Sequence, residues 1–122
     1  MITPIVFLHR FGATALIAYA VVLGAWGTYL YFRKAELNGA FRSSYLIMAG
    51  LTAAQGLLGL VALVLGGRPA NLLHLVYGVF AVIFLPGAYL YAQGGSHRRE
   101  AVILAGAAWV VCIAYLRGVA TG

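Results

Sequence analysis

Two imidazoles carry the chemistry this sequence can do. His9 sits near the start of the apolar run "VFLHRFGATALIAYAVVLGAWGTYLYF", and His74 near the start of "NLLHLVYGVFAVIFLPG". A neutral imidazole offers one N–H donor and one lone pair, and the lone pair is a common metal ligand. Ionisable side chains are costly in hydrocarbon, so they turn toward a bundle interior or a partner. One histidine near a helix end is equally well explained as an amphipathic interfacial residue; a matched pair shifts the balance toward a shared site.

Two nitrogens are too few for a bare zinc ion, which takes three or four protein ligands. The single cysteine, Cys112, lies in a different apolar run and reads as a small packing residue. Glu36 and Glu100 both fall at loops, and His97, beside Arg98 and Arg99, reads as a solvated loop residue. A haem asks for less, because its four pyrrole nitrogens fill the equatorial positions and the protein adds only axial donors. The pair therefore points to haem b, with His9 and His74 as the ligands to iron.

Other residues fit the same idea, each with a plainer alternative. Gly12, Ala13, Leu16 and Ala20 share the helical face below His9, and Gly78, Ala81 and Leu85 the face below His74. Small residues would let a macrocycle lie against the backbone, or would simply let helices pack closely. Arg10 and Arg68 adjoin the two histidine segments and could pair with haem propionates or with lipid phosphates. Gln55 lies in mid-segment with Thr52, among Gly50, Gly56 and Gly59. It calls for an interhelical hydrogen bond, or a supporting contact beside a cofactor.

The elements that must position these residues follow from composition. The chain has 122 residues, of which 64% are hydrophobic and 8% charged, where a soluble domain has about a quarter charged. Residues 11–32, 43–67, 69–97 and 101–116 lack Asp, Glu, Lys and Arg. A spanning helix needs about 20 mostly apolar residues; the first three runs qualify, and Arg117 can snorkel to extend the fourth. The runs are continuous rather than alternating, which excludes barrel strands. An open sheet would leave backbone groups unpaired in lipid. The expected fold is an all-α integral membrane four-helix bundle of up-down topology in one domain, with helices near 5–32, 43–66, 70–93 and 100–119. No signal-peptide pattern precedes the first run, so that helix is expected to be retained.

Basic residues set the orientation. Arg33, Lys34 and Arg42 flank the first loop and Arg98 and Arg99 the third, against Arg10, Arg68 and Arg117 on the other side. The positive-inside rule then places loops 33–42 and 94–100 in the cytoplasm and both termini outside, in a bacterial inner membrane. The net charge of +6 is accounted for by lipid headgroups, and no basic run interleaves with aromatics as a nucleic-acid surface would require. Helices 1 and 3 run in the same direction, so His9 and His74 are expected at one depth under the outer surface.

The segments "HRFGAT", "QGLLGLVALVLG" and "PANLLHLVYG", in that order, resemble one half of the haem A synthase family, membrane proteins that process haem for cytochrome oxidases. The resemblance covers roughly residues 7–80. It implies a helical bundle with paired histidines at a haem, His9 and His74 as axial ligands, and Arg10 and Gln55 at the accompanying positions. The family has two such halves where this chain has one. A helix follows the histidine helices here, where the family's half begins with one. No carboxylate lies within an apolar run to assist oxidation of a haem methyl, so no independent catalytic activity is expected.

Together these readings describe a bis-histidine membrane cytochrome, serving as an electron-transfer or accessory subunit of a respiratory or photosynthetic complex. Its expected partners are the bilayer and other membrane subunits of a redox complex, or a second copy in a homodimer. The alternatives are a non-catalytic structural subunit that binds lipid or a chlorophyll-type pigment, and a half-size haem A synthase-like enzyme.

Overall fold

The computed structural model describes residues 2–122. Four helices follow in order: α1 (Ile2–Phe32), α2 (Gly39–Val64), α3 (Leu73–Ala92) and α4 (His97–Thr121). Each is long and apolar enough to cross a membrane. The 20 residues of α3, the shortest, reach about 30 Å, the thickness of a hydrocarbon core.

Local chemistry sets the ends, and it moves several of them from the expected positions. The helix α2 begins at Gly39 rather than 43, because the Asn38 side chain accepts from Phe41 N at 2.8 Å and caps the first turn. Its end falls at Val64 because Gly66 takes a left-handed backbone (φ 103°), and Gly67 N and Gly66 N turn back to the Ala62 and Leu63 carbonyls. Lys34 (φ 56°) ends α1 in the same way, with Ala35 N and Lys34 N bonded to the Leu30 and Tyr31 carbonyls. Ser96 caps α4 by accepting from Arg99 N at 3.1 Å, which draws His97, Arg98 and Arg99 into the helix. Glu100 then lies in the first turn, where a negative charge favours the helix dipole. The later start of α3 follows from Asn71, whose side chain accepts from Leu73 N at 2.9 Å and holds a turn after Pro69.

Consecutive helices pack antiparallel, and α4 closes the bundle by lying against both α1 and α3. Its most apolar window is 44% buried, against 11% for each of the other three. The reason is its alanine content: Ala101, Ala105, Ala107, Ala108 and Ala114 are buried and let the neighbouring backbones approach closely. The seam between α2 and α3 is the lightest of the four. One core cluster runs through the bundle, with Leu23, Phe41, Tyr45, Met48, Leu85, Leu104 and Val111 among its fully buried side chains. Large apolar residues also face outward on every helix, among them Phe7, Leu57, Ile83 and Ile113. A bundle in water would hide such surface; in a bilayer, lipid covers it.

Polar bonds tie the helices together at several depths. The Tyr45 hydroxyl donates to the Leu85 carbonyl at 2.6 Å, and the Tyr19 hydroxyl to the Ser44 carbonyl at 2.6 Å. The Arg42 guanidinium grips Glu100 with Nε–Oε2 at 2.9 Å and Nη2–Oε1 at 2.6 Å, joining α2 to α4 at the end where the first and third loops lie.

Candidate functional site

At the other end of the bundle, α1 and α3 bring their histidines face to edge. The ring centroids of His9 and His74 lie 5.8 Å apart with 67° between the ring planes. His9 is in the early turns of the long α1, and His74 is the second residue of α3. Because α1 and α3 run parallel, the two residues share one depth.

Each ring is held by a backbone carbonyl on a neighbouring helix. His9 Nδ1 donates to the Gln55 carbonyl on α2 at 3.1 Å, and His74 Nδ1 donates to the Gly118 carbonyl on α4 at 2.8 Å. A carbonyl oxygen only accepts, so each Nδ1 carries the proton and each Nε2 keeps its lone pair. Among the described residues, no side-chain nitrogen or oxygen is both buried and unpartnered. Among the described residues neither Nε2 has a hydrogen-bond partner, so neither is closed off by them. Metal-binding histidines share this feature, a second nitrogen that donates to an outer partner and fixes the ring.

A single metal ion between two imidazoles sets their spacing. Two metal–imidazole bonds of about 2 Å each, with the ring centres a little over 1 Å further back, give a centroid separation of about 6 Å. The observed 5.8 Å is a little shorter, so the rings would part slightly to admit a metal. Among the described residues, no group of three or more His, Cys, Asp and Glu side chains gathers where it could hold a metal. A metal that needs more than two ligands would have to bring the others with it, as haem iron does.

Glycines make room for these contacts. A Cβ on Gly59 would lie 2.9 Å from His9 Cε1, and one on Gly122 would lie 2.7 Å from His74 Cε1. Gly12 performs the same service for Gln55, whose amide oxygen occupies the space a Cβ would need. The Gln55 amide nitrogen donates to the His9 carbonyl. Gln55 thus joins α2 to α1. Gly78 is exposed, with open space where its Cβ would stand.

Both candidate arginines lie at this end. Arg10 is exposed next to His9. Arg68 is exposed and donates through Nη1 to the Leu63 and Gly67 carbonyls at 2.9 and 2.7 Å, closing the C-terminus of α2. Arg117 lies over the Tyr77 ring at 5.8 Å and donates to its hydroxyl at 3.4 Å.

The structure adds residues that spacing did not single out. Gly118 supplies the carbonyl for His74, and Tyr115 lies one turn before it on α4. The Thr52 hydroxyl donates to the Met48 carbonyl at 2.8 Å, which leaves the Tyr115 hydroxyl to donate to Thr52. That chain is a buried polar layer beside the histidine layer. Tyr115 was legible only as one more aromatic in an apolar run. A backbone acceptor such as Gly118 leaves no side-chain signal at all. Two hollows lie away from the histidines. One, of about 220 Å³, is lined by residues including Arg42, Tyr89, His97 and Glu100; the other, of about 390 Å³, is an apolar groove between α3 and α4.

No protein-family model matches the chain, and neither a curated protein nor a solved structure does.

Proposed function

We propose that this chain is a membrane-embedded b-type haem protein in which His9 and His74 supply the two axial nitrogens. The observation that carries this reading is the pair of rings 5.8 Å apart, each fixed through Nδ1 by a backbone carbonyl and each with its Nε2 unpartnered among the described residues. Bound there, a haem would supply one-electron redox chemistry. With both axial positions closed by imidazole, electron transfer is favoured over oxygen chemistry. The order of the His-Arg, Gln-Gly and second His segments, similar to half of the haem A synthase family, supports the same reading.

The protein acts as an electron-transfer or accessory subunit rather than as an enzyme on its own. Glu36 lies 3.4 Å from His97, and Glu100 is tied to Arg42, both at the end away from the histidine pair. Neither of the two acidic side chains therefore lies beside the pair. The site lies near one surface, so a single haem exchanges electrons along that face and not across a core of about 30 Å. Short loops leave no extramembrane domain within residues 2–122, which suits a partner among other membrane subunits or a second copy. Basic residues support an orientation with loops 33–42 and 94–100 in the cytoplasm of a bacterial cell. Arg33, Arg98 and Arg99 lie over Tyr29, Tyr31 and Tyr91 at 5.6, 4.3 and 4.6 Å, a cationic aromatic rim suited to anionic headgroups.

One observation favours a structural subunit instead: the two rings already touch edge to face, a favourable contact without any metal. An absorption spectrum of the purified protein before and after dithionite separates the two. Sharp reduced bands of a low-spin b haem at one per chain support the cytochrome. A protein with no such bands, even after incubation with haemin, is a structural subunit.

A further inference from the structure

We infer that Gln55 is a positioning residue for His9, holding α1 in the register that presents His9 Nε2, rather than a residue that touches a cofactor. The inference rests on the haem reading for its purpose and on geometry for its content. His9 and Gln55 are bonded in both directions: the imidazole Nδ1 donates to the Gln55 carbonyl at 3.1 Å, and the Gln55 amide donates back to the His9 carbonyl. Each side chain also occupies a notch cut by a glycine on the opposite helix. The Gln55 amide oxygen fills the space of a Gly12 Cβ, and the His9 ring fills the space of a Gly59 Cβ. Gly12 is three residues beyond His9, and Gly59 four beyond Gln55, so each notch lies on the same helical face as its partner's anchor. The four residues form one interlock, and α1 cannot slide or rotate on α2 without breaking both bonds.

His74 has the glycine notch, at Gly122, but among the described residues no reciprocal side-chain bond. Its ring is held by one hydrogen bond, to Gly118 in the last two turns of α4. The site is therefore asymmetric, with one imidazole clamped by side chain and backbone together and the other by backbone alone. Outer partners of metal-binding histidines set tautomer and ring direction, and their loss commonly costs about 10–100-fold in affinity.

The test is ring ¹⁵N NMR of histidine-labelled protein without haem, which reads the tautomer of each imidazole directly. In the unaltered protein His9 is expected with Nδ1 protonated and Nε2 bare. Gln55→Leu removes the amide donor, and Gly12→Ala displaces that amide while leaving Gln55 itself in place. Both should turn His9 into a mixture of tautomers and leave His74 unchanged. Tyr19→Phe, which removes a different α1–α2 hydrogen bond, should alter neither. Haemin dissociation from Gln55→Leu and Gly12→Ala should then be faster by about 10–100-fold. Unchanged His9 nitrogens in both variants, or an equal change in Tyr19→Phe, would overturn the inference. If the unaltered protein takes up no haemin while the His9 tautomer still depends on Gln55, the clamp stands and the haem reading fails.

Discussion

The Nδ1 atoms of His9 and His74 donate to carbonyls on two different helices, at 3.1 and 2.8 Å. The rings between those anchors lie 5.8 Å apart. Four helices are thus committed to one pair of imidazoles: α1 and α3 supply them, and α2 and α4 orient them. An isolated interfacial histidine would need none of this.

Gly59→Leu should damage the site from behind. A side chain at residue 59 would start 2.9 Å from His9 Cε1, so the ring or the helix has to move. Overpacking of this kind costs about 1–3 kcal/mol. Thermal unfolding in detergent should show a lowered midpoint, and haem content should fall. Gly50→Leu, at a helical glycine whose Cβ would meet nothing within 4 Å, should leave both unchanged.

Glu100→Gln should destabilise the bundle at its other end without touching the histidines. Glu100 is 12% exposed and takes two bonds from Arg42. Hydrogen bonds to charged groups contribute about 1.5–3 kcal/mol, so a loss of that order is expected in the unfolding free energy. A double-mutant cycle with Arg42→Met should give a coupling energy of the same sign. The haem spectrum should not change. A spectral shift in Glu100→Gln would mean that the two ends of the bundle communicate, which the packing gives no reason to expect.

Orientation can be read by labelling. In a Cys112→Ser background, a cysteine at Ala70 should react with an impermeant maleimide added to intact cells, and one at Ala35 only after lysis. The reverse pattern would turn the bundle over and place the histidine pair near the cytoplasm.

Much of the fold was legible because it depends on composition. Long charge-free runs dictate spanning helices, and short loops dictate antiparallel neighbours. The ends of α2 and α4 were less legible. Asn38 and Ser96 draw polar residues into the first turn, and the hydropathy of His97–Arg99 argued the other way. In the site, His9 and His74 at one depth followed from spacing plus topology, and the structure brings them together. Gln55 was legible as a buried amide in need of a partner. That its partner is His9 was not, because helix rotation cannot be read from a sequence apolar on nearly every face. Gly12 shows the same limit: its small size reads as room for a macrocycle or for close helix packing, and the Gln55 amide oxygen fills the space of its Cβ. Arg68 was expected toward an anion and is bonded to α2 carbonyls, a contact set by the turn at Gly66 and Gly67.

The most direct measurement of the central claim is low-temperature electron paramagnetic resonance of the oxidised, haem-loaded protein beside His9→Ala and His74→Ala. A low-spin bis-imidazole signal at one per chain is expected, replaced by a high-spin signal or lost with the haem in either variant. A low-spin signal that survives both substitutions, or a protein that binds no haem at all, would contradict the assignment of these two histidines.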